Sequence, residues 1–220
     1  MKSMELQPIK AKVLAVRIIP NADLALARSF QLKPHQRSLG ILTCTIDDVG
    51  YTAMDEATKQ SDVEVVYAKS FYAGASHASG PLSGEFIGMI AGPSPDEVKS
   101  GLEAARNMIE NEAYFEAINH EGTHALYAHV VARTGSYLSK VANVEEGSPL
   151  AYLIAPPLEA MFGLDAALKA ADVQLAAFYG PPSETNFGGG LVTGSQSACH
   201  AAAEAFRQSI LEIARNPIAY

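Results

Sequence analysis

Two stretches of the chain, "MDEATKQSDVEVVY" (54–67) and "LDAALKAADVQLAA" (164–177), carry the same residue at five of fourteen positions. The matches Asp55/Asp165, Ala57/Ala167, Lys59/Lys169, Asp62/Asp172 and Val63/Val173 all fall at an offset of 110, half of the 220 residues. Ordinary composition supplies roughly one such identity by chance. A period of half the chain constrains the fold more than any motif does, because each half must build the same supersecondary unit.

The register extends on both sides. "SLGILTCT" (38–45) stands opposite "SPLAYLIA" (148–155), and both read as apolar strands leading into a helix. Downstream, each half has a Gly-rich loop, a short apolar strand, a Gly-Pro-Ser or Gly-Ser turn and a final helix. In the second half "FGGG" is read as loop and "LVT" as the strand, and the offset falls to 102 at Gly92/Gly194. The expectation is two copies of one α+β unit, divided into residues 1–110 and 111–220.

Further strands are expected at 13–19, 40–46, 63–67 and 85–91. Ser94-Pro95-Asp96-Glu97 supplies an N-cap serine, a proline in the first turn and a capping-box glutamate. Val98, Leu102, Ala105 and Ile109 then form one apolar stripe, and Phe206, Ile210 and Ile213 repeat it in the last helix. "NMIENEAYFEAIN" (107–119) reads as helix.

Bulk properties exclude several classes. The net charge of −8 and the lack of any basic run argue against a nucleic-acid partner. No stretch approaches 18 uncharged apolar residues, so no membrane span is expected, and the start lacks the apolar segment of a signal peptide. Cys44 and Cys199 match no metal or redox spacing and are expected as reduced, buried thiols of a cytosolic protein. With 48% hydrophobic and 18% charged residues, the chain has the balance of one that hides part of its surface against other subunits.

One motif competes with the repeat. His120-Glu121-Gly122-Thr123-His124 is a literal H-E-x-x-H, the pattern of a zinc peptidase with two histidine ligands and a glutamate base. Gripping one ion requires the histidines one helical turn apart, about 6 Å. On a strand they would be about 13 Å apart. Gly122 suits the position where a helix stops, and "THALYAHVVA" alternates as a strand. The motif is therefore expected at a junction, with exposed histidines and no catalytic metal, and the peptidase stands as the alternative. Asp47-Asp48, a carboxylate pair at a strand end, is expected as solvated turn residues.

Beyond these patterns lies a resemblance. "PHQRSLGILTCTIDDVGYTAMDEATKQSDVEVVYAKSFYAGA", "VARTGSYLSK", "AYLIAPPLEAMFGLDAALKAADVQL", "PPSETNF" and "TGSQSACHAAAEAF…EIARNPI" resemble the tandem-domain shell proteins of ethanolamine-utilisation bacterial microcompartments, over about residues 8–218. The resemblance implies two circularly permuted bacterial-microcompartment (BMC) domains and no enzyme activity or cofactor. It also implies a pseudohexameric homotrimer that tiles edge to edge with other shell proteins in a cytoplasmic microcompartment. Loops 69–83 and 179–189 would surround a gated central pore passing metabolites or cofactors, with Phe71, Tyr72, Asn186 and Phe187 lining it. Asp48, Glu85 and Phe115 would hold a small amino alcohol such as ethanolamine.

Overall fold

A computed structural model describes residues 6–71, 80–181, 183 and 186–219. The chain divides into two compact units, Lys10–Ala113 with Thr134–Leu138, and Met1–Ile9 with Tyr114–Arg133 and Ser139–Tyr220. Each half of the sequence thus lends a short segment to the other unit. Near the N-terminus, β1 (Gln7–Lys10) lines up beside β6 (Tyr114–Ala117).

In the first unit, β2 (Val13–Ile19), β3 (Ser38–Cys44), β4 (Glu64–Ser70) and β5 (Phe86–Gly92) form an antiparallel sheet in the order β2-β3-β5-β4. A short helix, α1 (Leu24–Ser29), sits between β2 and β3 and buries none of its residues. The longer α2 (Asp47–Gln60) and α3 (Pro95–Asn107) cover the sheet. Ser94 Oγ accepts the Glu97 amide at 3.2 Å, and Val98, Leu102, Ala105 and Ile109 are all buried, as the stripe requires. Small residues set the layer spacing. A Cβ on Gly40 would lie 2.7 Å from Val98 Cγ1, and one on Gly88 2.5 Å from Met54 Sδ.

The second unit repeats the plan. β7 (Ala125–Val131), β8 (Leu150–Ala155), β9 (Val173–Tyr179) and β10 (Gly188–Gly194) lie in the order β7-β8-β10-β9, with β6 and β1 added beyond β7. Its helices are α4 (Ser136–Ala142), which starts in the segment lent to the first unit, α5 (Pro157–Ala170) and α6 (Gln196–Arg215). Phe206 and Ile210 are fully buried, and Ile213 is half-buried. Leu126, Leu153, Val192 and Cys199 join them in one core, where each large apolar side chain contributes about 1.5–3 kcal/mol by leaving water. Both cysteines are free and buried.

Two expectations fail here. The stretch 107–119 is not one helix: α3 ends at Asn107, a π-helical turn spans Met108–Glu112, and β6 follows. Tyr114 is exposed while Phe115 and Ala117 are buried, a two-residue alternation that the preceding helical period masked. The glycines 188–190 are strand, not loop. A Cβ on Gly189 would stand 1.9 Å from the Leu153 carbonyl oxygen, so the backbones approach more closely there than a side chain permits.

Candidate functional site

In the first unit, β3 delivers the chain into α2 at Ile46, and Asp47 and Asp48 occupy the first helical turn. Carboxylates there interact favourably with the helix dipole. Both are buried, which overturns the expectation of solvated turn residues. Glu85 enters from the start of β5, where its amide donates to the Cys44 carbonyl at 3.0 Å. Its own carbonyl accepts the Phe71 amide at 3.1 Å.

The neighbouring groups feel an acidic field. Burial pushes the Cys44 thiol up to about 12, and the charges of Asp47 and Glu85 add to the effect against the opposing hydrogen bond to Ile46. Tyr51 is also raised, chiefly by burial, with Asp47 and Asp48 contributing and hydrogen bonds to Ser70 opposing. Its hydroxyl donates to Ser70 Oγ at 3.1 Å and accepts the Ser70 amide at 2.8 Å. Neither Tyr51 nor Ser70 was singled out from the sequence, where a tyrosine four residues into a helix carries no signal. Burial opposes any charge there, and only the smaller contribution of the Asp47, Asp48 and Glu85 carboxylates is of the sign that favours a cation.

In the second unit, Phe115 is buried and stacks with Tyr127 (centroids 5.0 Å apart) and with Phe187 (6.1 Å). Tyr127 continues to His129 and Tyr152, and Tyr152 to Tyr179. Asn186 adopts φ 65° in a turn closed by Ser183, whose amide donates to the Phe187 carbonyl at 2.8 Å. Of the aromatic pore candidates, Phe71 is joined to Glu85 through its backbone amide and Phe187 stacks on Phe115. Tyr72 lies outside the described residues.

The H-E-x-x-H stretch forms no metal centre among the described residues, where no three histidine, cysteine or acidic side chains converge. His120 and Glu121 are exposed in the turn between β6 and β7, with Gly122 at φ 66°. Asn119 Oδ1 accepts the amides of Thr123 and His124 and shapes that turn. His124 Nε2 lies 2.8 Å from Glu159 Oε1. A hairpin turn cannot present both histidines from one helical face, and the peptidase has no support.

A four-stranded sheet order used twice has a counterpart among known proteins. The BMC domain family matches residues 38–120. The trimeric microcompartment shell protein PduB shares the fold, with a TM-score of 0.73 at 20% identity over 93% of this chain and 89% of that one. The class, by fold, is therefore that of tandem BMC-domain proteins.

Two relatives narrow the class. The bacterial microcompartment shell protein EutL of Clostridium perfringens (strain 13 / Type A) is 54% identical over 212 residues, covering 96% of this chain and 98% of that one. The crystal structure of the ethanolamine utilization protein EutL from Leptotrichia buccalis C-1013-b matches with a TM-score of 0.96 at 59% identity, over 99% of this chain and 100% of that one. The chain belongs to the EutL family of bacterial microcompartment shell proteins, and its place is the microcompartment shell within the cytoplasm.

Proposed function

We propose that three copies of this chain form a pseudohexameric tile with a gated central pore, and that a small amino alcohol bound at Asp48, Glu85 and Phe115 biases the gate. The functional domains in this reading are residues 1–110 and 111–220. The tile packs edge to edge with other shell proteins, and the pore passes small metabolites or cofactors. The name of the Leptotrichia relative, an ethanolamine utilization protein, makes ethanolamine the first ligand to test.

The observation that carries this reading is the contact between binding and loop residues. Phe71 is hydrogen-bonded through its amide to Glu85, and Phe187 stacks on Phe115. Carboxylates attract an ammonium by charge and an aromatic face attracts it by its quadrupole. A ligand that moved Glu85 would move the base of the first loop, and one that moved Phe115 the base of the second, shifting the gate by its differential affinity for the two states. Phe71, Tyr72, Asn186 and Phe187 would line the pore.

Two measurements test the reading. Negative-stain electron microscopy of concentrated protein should show trimeric particles ordered in hexagonal sheets; dispersed monomers under several salt conditions would overturn the assembly. Calorimetry with ethanolamine should give binding to the wild-type protein that Asp48→Ala and Glu85→Gln each weaken roughly tenfold or more. Unchanged affinity in both variants would overturn the site.

A further inference from the structure

One side chain of α2 holds both strands at the place where the first loop leaves the sheet. The ring of Tyr51 stands edge-on to Phe86, with centroids 4.9 Å apart, and stacks on Tyr137 at 6.4 Å. Phe86 of β5 pairs with Ser70, the last residue of β4. The Tyr51 hydroxyl donates to Ser70 Oγ at 3.1 Å and accepts the Ser70 amide at 2.8 Å. Tyr51 thus grips β5 by its ring and β4 by its hydroxyl.

The same side chain stands beside the candidate ligand residues. Tyr51 follows Asp48 by three residues and Asp47 by four, so the three share one face of α2. Phe86 directly follows Glu85, whose carbonyl accepts the Phe71 amide. The base of the first loop is therefore held on one side from the helical turn of the two aspartates and on the other from Glu85.

The second copy of the repeat shows what the fold itself requires. It keeps the helix, the strand and the irregularity within the strand: β4 passes from Val65 to Tyr67 against adjacent partners, and β9 passes from Leu175 to Ala177 in the same way. At the offset of 110 the equivalents of Tyr51 and Ser70 are Met161 and Gly180, neither of which carries a hydroxyl. The equivalent of Asp48 is Leu158, and at the offset of 102 that of Glu85 is Phe187. The unit folds without the hydroxyl pair, and the pair occurs in the copy that carries the carboxylates.

We propose that Tyr51 is a positioning residue for the first loop, fixing the place of Ser70 and carrying to it the displacement that an ammonium ligand imposes on the first turn of α2. A cation drawn to Asp48 acts on the turn from which Tyr51 projects. The Tyr51 ring is held by Phe86 and Tyr137, so a shift of that turn reaches Ser70 through the hydroxyl and is not absorbed by rotation of the side chain.

This inference rests on the ligand site and gate proposed above, and the experiment separates them. Tyr51→Phe keeps the ring and removes the hydroxyl, and Ser70→Ala keeps the amide and removes its side-chain partner; thermal unfolding confirms that both variants fold. In the wild type, ethanolamine should slow amide hydrogen exchange at Ser70 and Phe71 and also at Asn186 and Phe187. In Tyr51→Phe the unliganded Ser70 amide should exchange roughly fivefold faster or more, and the slowing by ethanolamine at Ser70 and Phe71 should be lost while that at Asn186 and Phe187 stays. Ser70→Ala should give part of the same loss. Calorimetry should show ethanolamine still binding Tyr51→Phe, because Asp48, Glu85 and Phe115 are all in place.

A merely structural role would quicken exchange without removing the response to ligand. A Tyr51→Phe protein that binds ethanolamine and still slows at Ser70 and Phe71 overturns this role alone, as does a wild type that responds only at Asn186 and Phe187. A variant that loses binding and the response at both loops overturns it too, by making Tyr51 part of the ligand site. A wild-type protein that binds no ethanolamine, or binds it without a response at either loop, overturns the site or the gate, and this role with it.

Discussion

Asp55 and Leu138 are 83 residues apart in sequence, yet the Asp55 carboxylate accepts the Leu138 amide at 2.7 Å and so caps, from another element, the helix that Leu138 helps to begin. The same carboxylate takes the Gly135 amide. Asp55→Ala would leave two buried amides without an acceptor, a loss of about 2–4 kcal/mol. Chemical denaturation should show that decrease, and hydrogen exchange should locate it at residues 134–138.

The same carboxylate sets a pH dependence. Burial raises the Asp55 pKa, and the Gly135 and Leu138 amides and Lys59 only partly offset that effect, while Glu56 adds to it. A carboxyl whose folded pKa exceeds its unfolded value binds more protons when folded, so its contribution to stability falls as pH rises through the folded value. It is fully present only below the unfolded value. Asp55→Asn removes that titration. The difference in denaturation midpoint between wild type and variant should therefore shift in favour of the wild type as pH is lowered into the acid range.

Gly84 sits at φ 62° immediately before Glu85, and a Cβ there would lie 2.2 Å from the Cys44 carbonyl oxygen. That carbonyl accepts the Glu85 amide, so alanine would both strain the backbone and displace the bond that places Glu85. Gly84→Ala is expected to cost about 1–3 kcal/mol and to weaken ethanolamine binding. Retained affinity at reduced stability would detach Glu85 from the ligand.

The H-E-x-x-H stretch makes an opposite kind of prediction. Glu121 and His120 are exposed, so Glu121→Gln and His120→Ala should leave the unfolding temperature and the zinc content after dialysis unchanged. His124→Ala removes the pairing with Glu159 and should cost about 1 kcal/mol. Stoichiometric zinc that disappears with His124→Ala would refute this reading.

The halves of the chain were legible because identical residues recur at a fixed offset, and capping residues such as Ser94 act locally. What the offset hid was divergence in role. Asp55 and Asp165 are the same letter at the same place, one a buried cap and the other an exposed partner of Lys169. Sequence identity between the copies does not distinguish the buried aspartate from the exposed one. The glycines 188–190 were misread for a related reason: composition marks them as loop, and only the 1.9 Å approach to Leu153 explains them as strand. The acidic pair at 47 and 48 looked like a turn because two adjacent aspartates after a strand match turn composition, whereas they form the buried first turn of α2.

The short strand β6 was read as helix, and the reason it holds its place lies 91 residues away. Arg207 Nε donates to Glu116 Oε2 at 2.7 Å and Nη2 to Oε1 at 2.5 Å, while Nη2 also reaches the Ala128 carbonyl at 3.3 Å. One guanidinium thereby fastens α6 to both β6 and β7. Arg207→Lys keeps the charge but loses the paired geometry, and should cost about 1 kcal/mol. Arg207→Ala leaves Glu116 mostly buried without its partner and should cost about 2–3 kcal/mol. If the penalty is the stranded carboxylate and not the lost contact, then Arg207→Met combined with Glu116→Leu should recover much of it in denaturation experiments. A double variant as unstable as the two single losses summed would mean that the pair itself, with its reach to Ala128, holds the strand.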